Sequence, residues 1–133
     1  MKIDCFTHVM PKPYIDRFSA AVKDFYLGDL PAKIPEMVDL APRIAMMDRL
    51  GIDQQVLTIA TPPIEEVVSD PKLAAELATV ANDAIAEMAA KRPDRFMAVG
   101  TIAMNNMDAA LREAERAVTQ LGMKGILIYT NCQ

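Results

Sequence analysis

Leu50-Gly51-Ile52-Asp53-Gln54-Gln55-Val56-Leu57-Thr58 closes a helical pattern, passes a glycine and runs through polar residues into an apolar stretch. The same order returns at Leu121-Gly122-Met123-Lys124-Gly125-Ile126-Leu127-Ile128. In both places a glycine can take the left-handed conformation that ends a helix, and a strand follows at once. Helix, glycine and buried strand therefore recur as a module, which is how parallel strands with crossover helices are built.

Working outward, strands are expected near residues 2–6, 55–60, 96–102 and 125–129. The first connection is the longest. It carries Tyr14, Phe18, Val22 and Phe25 at helical spacing, then a stretch punctuated by Pro31, Pro35 and Pro42, then a short helix with Ile44, Met47 and Leu50. So long an excursion beyond the first strand suits a segment, residues 9–42, that covers an active site. A second helix has Asp70 to cap it and Pro71 at its first position, with Leu73, Leu77, Val80, Ala84 and Met88 as its buried stripe, and cannot continue past Pro93. A third begins near Asn106 and Asp108, buries Leu111, Ala114, Val118 and Leu121, and stops at Gly122.

Right-handed crossovers arrange four such strands as an open sheet or as part of a barrel. The first βα turn, His8-Val9-Met10-Pro11, has none of the glycines that let backbone approach a pyrophosphate, so a dinucleotide fold is disfavoured. The expected fold is α/β: one partial domain over residues 1–133 forming the N-terminal part of a (β/α)8 TIM barrel. A full barrel takes roughly 250 residues.

Composition excludes several classes. Lys and Arg number 14 against 18 Asp and Glu, a net charge of −4, and the basic residues are scattered, which argues against a nucleic-acid partner. No apolar run approaches a membrane span and the amino terminus lacks a signal-peptide pattern, so a cytoplasmic protein is expected. Cys5 and Cys132 have no zinc-like spacing; Cys5 is expected to pack, reduced, against a helix layer.

The first strand, Ile3-Asp4-Cys5-Phe6-Thr7-His8, delivers the only histidine of the chain to a strand's carboxyl end, the edge where α/β active sites form. Strict alternation would put Asp4, Phe6 and His8 on the inner side, and Ile3, Cys5 and Thr7 toward the helices. Further residues just past predicted strand ends are Thr61, Met104, Asn105, Tyr129, Thr130 and Asn131. Of these, Tyr129 and Asn131 are candidates to hydrogen-bond a substrate carboxylate. Arg49, Asp53, Asp94 and Arg95 fall at helix ends and strand starts, on the opposite, stability-determining side.

The chain as a whole resembles the amidohydrolase superfamily, in the branch typified by aminocarboxymuconate-semialdehyde decarboxylase and related aromatic-acid decarboxylases. Ile3-Asp4, Thr7-His8, Pro11, Met47-Asp48-Arg49-Leu50-Gly51-Ile52-Asp53, Val56-Leu57, Asn82, Pro93-Asp94-Arg95-Phe96 and Leu121-Gly122-Met123-Lys124-Gly125 carry the resemblance in the family's order. It implies a barrel with a divalent metal, zinc being expected, at its carboxyl edge. The metal would be held by a first-strand His-x-His pair, later histidines and a late aspartate. Only the second histidine of the pair has a counterpart, His8; the first falls on Phe6, which has no lone pair and would instead fill the barrel interior.

The expected function is therefore that of a metal-dependent decarboxylase, a carbon–carbon lyase acting on a small carboxylic acid, present as an incomplete half. Two alternatives stand beside it. One is a metal-dependent hydrolase of the same superfamily; the other is a non-catalytic half-barrel that pairs with its own copy or with a complementary half.

Overall fold

The computed structural model describes residues 1–23, 29–60 and 62–129, without the side chains of Leu30 and Pro31. Phe25, Thr61, Thr130, Asn131 and Cys132 lie outside the described residues, and Pro31 is described in its backbone alone. The elements run β1 (Ile3–Val9), α1 (Lys12–Ala21), α2 (Leu30–Lys33), a 3-10 turn (Pro35–Met37), α3 (Leu40–Leu50), β2 (Gln54–Ile59), α4 (Ile64–Val67), α5 (Pro71–Lys91), β3 (Phe96–Ala98), β4 (Gly100–Thr101), α6 (Met107–Thr119) and β5 (Ile126–Leu127).

The strands pair in parallel, β1 with β2, β2 with β3, and β4 with β5. The expected single strand over residues 96–102 is broken in two because it changes partner. Val99 N–H still donates to Leu57 O at 3.0 Å, whereas Gly100 N–H donates to Gly125 O at 2.9 Å. Lys124 N–H donates to Ala98 O at 2.8 Å, so β5 takes over as neighbour where β2 ends. The resulting order, β1, β2, then β3 with β4, then β5, is that of the first strands of a TIM barrel.

Helices cover one face. Leu57, Ile59, Phe96 and Ala98 are buried there against Leu77, Ala81 and Ile85 of α5, with Val9, Met10, Tyr14 and Phe18 completing the same core. Across the sheet Phe6 is 79% exposed, and Ile128, just past β5, is 58% exposed. Asp70 caps α5 through its carboxylate and Pro71 occupies the first turn, as expected from their types. Gly51 and Gly122 adopt φ of 64° and 67°, the left-handed values that the repeated module requires.

Three expectations need correction. Pro42 does not interrupt the chain: it sits in the first turn of α3, capped by Asp39, where its missing N–H costs nothing. In α6 the buried residues are Ala110, Glu113 and Ala117, while Leu111 is 63% and Val118 48% exposed. Small side chains permit the close approach of α6 to α5, and hydrogen bonds from α5 satisfy Glu113, so the bulkier stripe turns outward. Finally, Cys5 is exposed. It lies on β1, an edge strand, and α1 packs against α5, leaving the thiol uncovered.

Candidate functional site

β1 does not alternate strictly. Asp4 aligns with Gln55 of β2 but Thr7 aligns with Leu57, so β1 carries one extra residue between them, a β-bulge. Below the bulge Asp4 shares the face of Gln55, and the Gln55 amide donates to its Oδ2 at 3.3 Å. Above it His8 aligns with Thr58, three positions further along β2 and hence on the opposite face. Asp4 and His8 are therefore not on one side, contrary to the alternation expected. Phe6 and His8 are: their rings meet edge to face with centroids 4.9 Å apart.

His8 is half-buried and held at both its ring and its carbonyl. Thr58 Oγ1 lies 2.8 Å from Nδ1 of the ring and donates to Thr7 O, also at 2.8 Å. The Arg43 guanidinium donates to the His8 carbonyl, to Gln55 Oε1 at 2.9 Å and to Glu36 O at 2.7 Å. Arg43 thus ties the 3-10 turn and α3 to both strands directly beneath the histidine. It is only 3% exposed, and burial pulls its pKa down to about 10 despite the nearby Asp4 and Glu36 carboxylates. Sequence reasoning missed Arg43. The available signal was its spacing: it precedes buried Met47 by one helical turn, a charged residue on an apolar face.

Tyr129 follows β5 and is half-buried. Burial, with the Glu65 carboxylate nearby, pushes its phenol up to about 12. Tyr14 is raised further, again by burial first and then by Tyr129. Elements following β1, β2 and β5 thus bring Tyr14, Glu65 and Tyr129 into one electrostatic neighbourhood. Asn105 spends its amide on Val68 O at 3.2 Å, so its described contact is with loop backbone, and Met104 has no polar group to offer. At the other end of the strands Arg95 donates to Ile52 O, Asp53 O and Asp48, and Asp53 accepts from the Lys2 backbone. These contacts fasten strand starts together.

The donor set can be tested against the metal that the resemblance implies. Among the described residues no group of three or more His, Cys, Asp or Glu is placed to hold an ion. His8 supplies one imidazole, and its neighbour on the same face is Phe6. These residues do not by themselves fit a divalent metal, and no reaction step follows from a metal held by them alone. No helix among the described residues is long and apolar enough to cross a membrane.

Comparison with known proteins places this geometry. The family profile described as amidohydrolase matches residues 3–133. Gamma-resorcylate decarboxylase of Rhizobium radiobacter is 40% identical over 86 residues, 65% of this chain and 26% of that protein. The 2-amino-3-carboxymuconate-6-semialdehyde decarboxylase of Dictyostelium discoideum is 29% identical over an alignment covering 98% of this chain and 41% of its own length. The crystal structure of 5-carboxyvanillate decarboxylase from Novosphingobium aromaticivorans superposes with a TM-score of 0.80 at 32% identity, over 100% of this chain and 42% of that one. That structure holds manganese and 4-hydroxy-3-methoxy-5-nitrobenzoic acid. The chain therefore spans about a quarter to two fifths of the length of these relatives.

Proposed function

The chain belongs to the amidohydrolase family, and from that membership we propose that it forms the first strands of a barrel whose carboxyl edge removes carbon dioxide from a small aromatic carboxylic acid. One observation carries the reading. His8 stands at the carboxyl end of β1 on the face the helices leave uncovered, gripped through its ring by Thr58 and through its carbonyl by Arg43.

In such a decarboxylation the bond from ring carbon to carboxylate breaks, its electron pair stays on the ring carbon, and a proton replaces carbon dioxide there. A phenol raised to about 12 remains protonated at neutral pH, so Tyr129 serves as a hydrogen-bond donor to the substrate carboxylate. Asn131, two residues further on, is proposed as its companion. A divalent cation, manganese as in the Novosphingobium relative or zinc, would take His8 as its one donor from β1, and would supply charge to the substrate oxygens. The cytoplasm is the proposed compartment.

Phe6, exposed on the uncovered face, and Ile128, exposed just past β5, favour a second reading, in which residues 1–133 act as a non-catalytic half-barrel that associates with another copy or a complementary half. The protein isolated from its source, incubated with Mn²⁺ and 2,6-dihydroxybenzoate or 5-carboxyvanillate, decides between them. Carbon dioxide release that disappears in His8→Ala supports the decarboxylase. Hydrolysis of an amide or ester without carbon dioxide release would transfer the site to the hydrolase branch, and self-association with neither activity would favour the half-barrel.

A further inference from the structure

One carboxylate at the carboxyl edge of the strands is left without a donor. Glu65 lies on α4, the short helix that follows β2, where buried Pro63 and Ile64 fix the backbone around it. The residue is half-buried, yet its Oε2 is shut off from water and accepts no hydrogen bond among the described residues. A buried acceptor in this state has lost its hydration and gained nothing in exchange. The same fold satisfies another inward carboxylate with three partners: Glu113, between α5 and α6, accepts from Thr79, Asn82 and Arg116. A bare oxygen in a folded protein calls for a donor that arrives from outside, and the surroundings of Glu65 indicate which donor.

Tyr129, beyond β5, offers a protonated phenol in the same neighbourhood, since the Glu65 carboxylate helps to push that phenol up to about 12. The edge thus combines one donor with one acceptor. A ligand complementary to both carries an acceptor beside a donor, which on an aromatic acid is a carboxylate next to a ring hydroxyl. An ionised carboxylate can only accept, so Glu65 repels the ligand's own carboxylate and attracts the hydroxyl hydrogen. We propose that Glu65 is a specificity-determining residue: its Oε2 accepts the hydrogen of a ring hydroxyl adjacent to the carboxylate that Tyr129 holds, so that the edge selects ortho-hydroxylated aromatic acids over acids without that donor. The proposal rests on the decarboxylase reading and adds to it the ring substituent that decides between substrates. Discrimination of this kind is strong, because an analogue lacking the hydroxyl leaves the buried polar group unpaired.

Titration calorimetry of the protein isolated from its source, with 2,6-dihydroxybenzoate and with 2,6-difluorobenzoate, which fills similar space without a donor, tests the assignment. The wild-type protein is expected to bind the dihydroxy acid tighter by about tenfold or more. Glu65→Leu should bring that ratio close to one while leaving the difluoro acid bound as before, and Glu65→Gln, whose amide carbonyl still accepts, should keep most of it. Glu65→Leu also removes a bare buried oxygen, so its melting temperature should rise by a few degrees. A fall instead would make the carboxylate a support of the fold and overturn the proposal. If both acids bind and the preference survives Glu65→Leu, the assignment of Glu65 is overturned and the decarboxylase reading stands. If neither acid binds the wild-type protein, the decarboxylase reading itself falls and takes the assignment with it.

Discussion

Asn82 of α5 clasps the backbone of Thr101 in β4 from both sides: its Nδ2 donates to Thr101 O at 2.9 Å and its Oδ1 accepts from Thr101 N–H at 2.7 Å. A fully buried helix residue thus satisfies both backbone groups of a strand residue, just past the point where that strand changes partner. The same Nδ2 also reaches Glu113 Oε1 at 2.7 Å, linking α6 to the pair.

Asn82→Ala should therefore leave two buried backbone groups and a carboxylate oxygen short of a partner. We expect a loss of about 2–4 kcal/mol in stability. Urea unfolding followed by circular dichroism checks it, and a loss under about 0.5 kcal/mol, the range of an ordinary surface substitution, would show that water replaces the amide without penalty.

Glu113 makes stability depend on acid. Burial alone would raise its pKa, but hydrogen bonds from Arg116, Asn82 and Thr79, together with the Arg116 charge, hold it below its ordinary 4.5. A carboxyl whose folded value is depressed contributes stability above its unfolded pKa and loses it as pH falls through the folded one. The urea midpoint should drop on acidification below about pH 4.3, and Glu113→Gln should flatten that part of the profile. An unchanged slope in the variant would assign the acid sensitivity to other carboxylates.

Arg43→Met should cost about 3 kcal/mol, because the His8 carbonyl, Gln55 Oε1 and Glu36 O lose their donor together. Arg43→Lys should not restore it, since an ammonium on a flexible stem cannot reproduce the planar fork. Thermal melts of the two variants give the comparison, and a lysine variant as stable as wild type would refute the need for the fork.

Phe6→His places a second imidazole on the face of His8, in a position whose ring centroid is 4.9 Å from that of His8. Divalent-metal affinity should rise at least tenfold, equivalent to about 1.4 kcal/mol, whereas Phe6→Ala should leave it unchanged. Calorimetric titration with Mn²⁺ or Zn²⁺ reads both, and an equal gain from alanine would mean that Phe6 merely obstructs the site.

Residues 1–133 purified alone should release no carbon dioxide from aromatic acids and should self-associate, because Phe6, Leu111 and Ile128 present apolar surface on both layers. Light scattering is the check. A monodisperse monomer with a cooperative melt and measurable turnover would contradict both expectations.

The course of the strands was legible because apolar runs were bounded by Gly51 and Gly122, whose left-handed backbone ends each helix before the strand begins. The bulge was not. An inserted residue leaves no mark in composition, and counting by twos from Asp4 through Phe6 to His8 carried the wrong face to Asp4. Helical spacing of apolar residues points to Leu111 and Val118 as core, but the α5–α6 contact selects small Ala110 and Ala117 and a satisfied Glu113. Arg43 escaped notice because an isolated charge is ordinarily solvated, and only the three acceptors converging on it make its burial tolerable. Tyr129 follows a predicted strand end, whereas Glu65, which lies near it electrostatically, carries no such marker.

The bulge in β1 also divides the labour of a single strand. Its lower half is registered by Asp4 against Gln55 and by the Lys2 backbone against Asp53, its upper half by His8 against Thr58, and the extra residue takes up the slack between them. Substitutions at positions 6 and 8 therefore leave the hydrogen bonds at the footing of the strand in place. Deleting one residue at the bulge, Cys5 for instance, would force the two halves back into a common phase and turn one of them over. The side chains of the strand's upper half are thus separable from its footing, and the length of the strand is not.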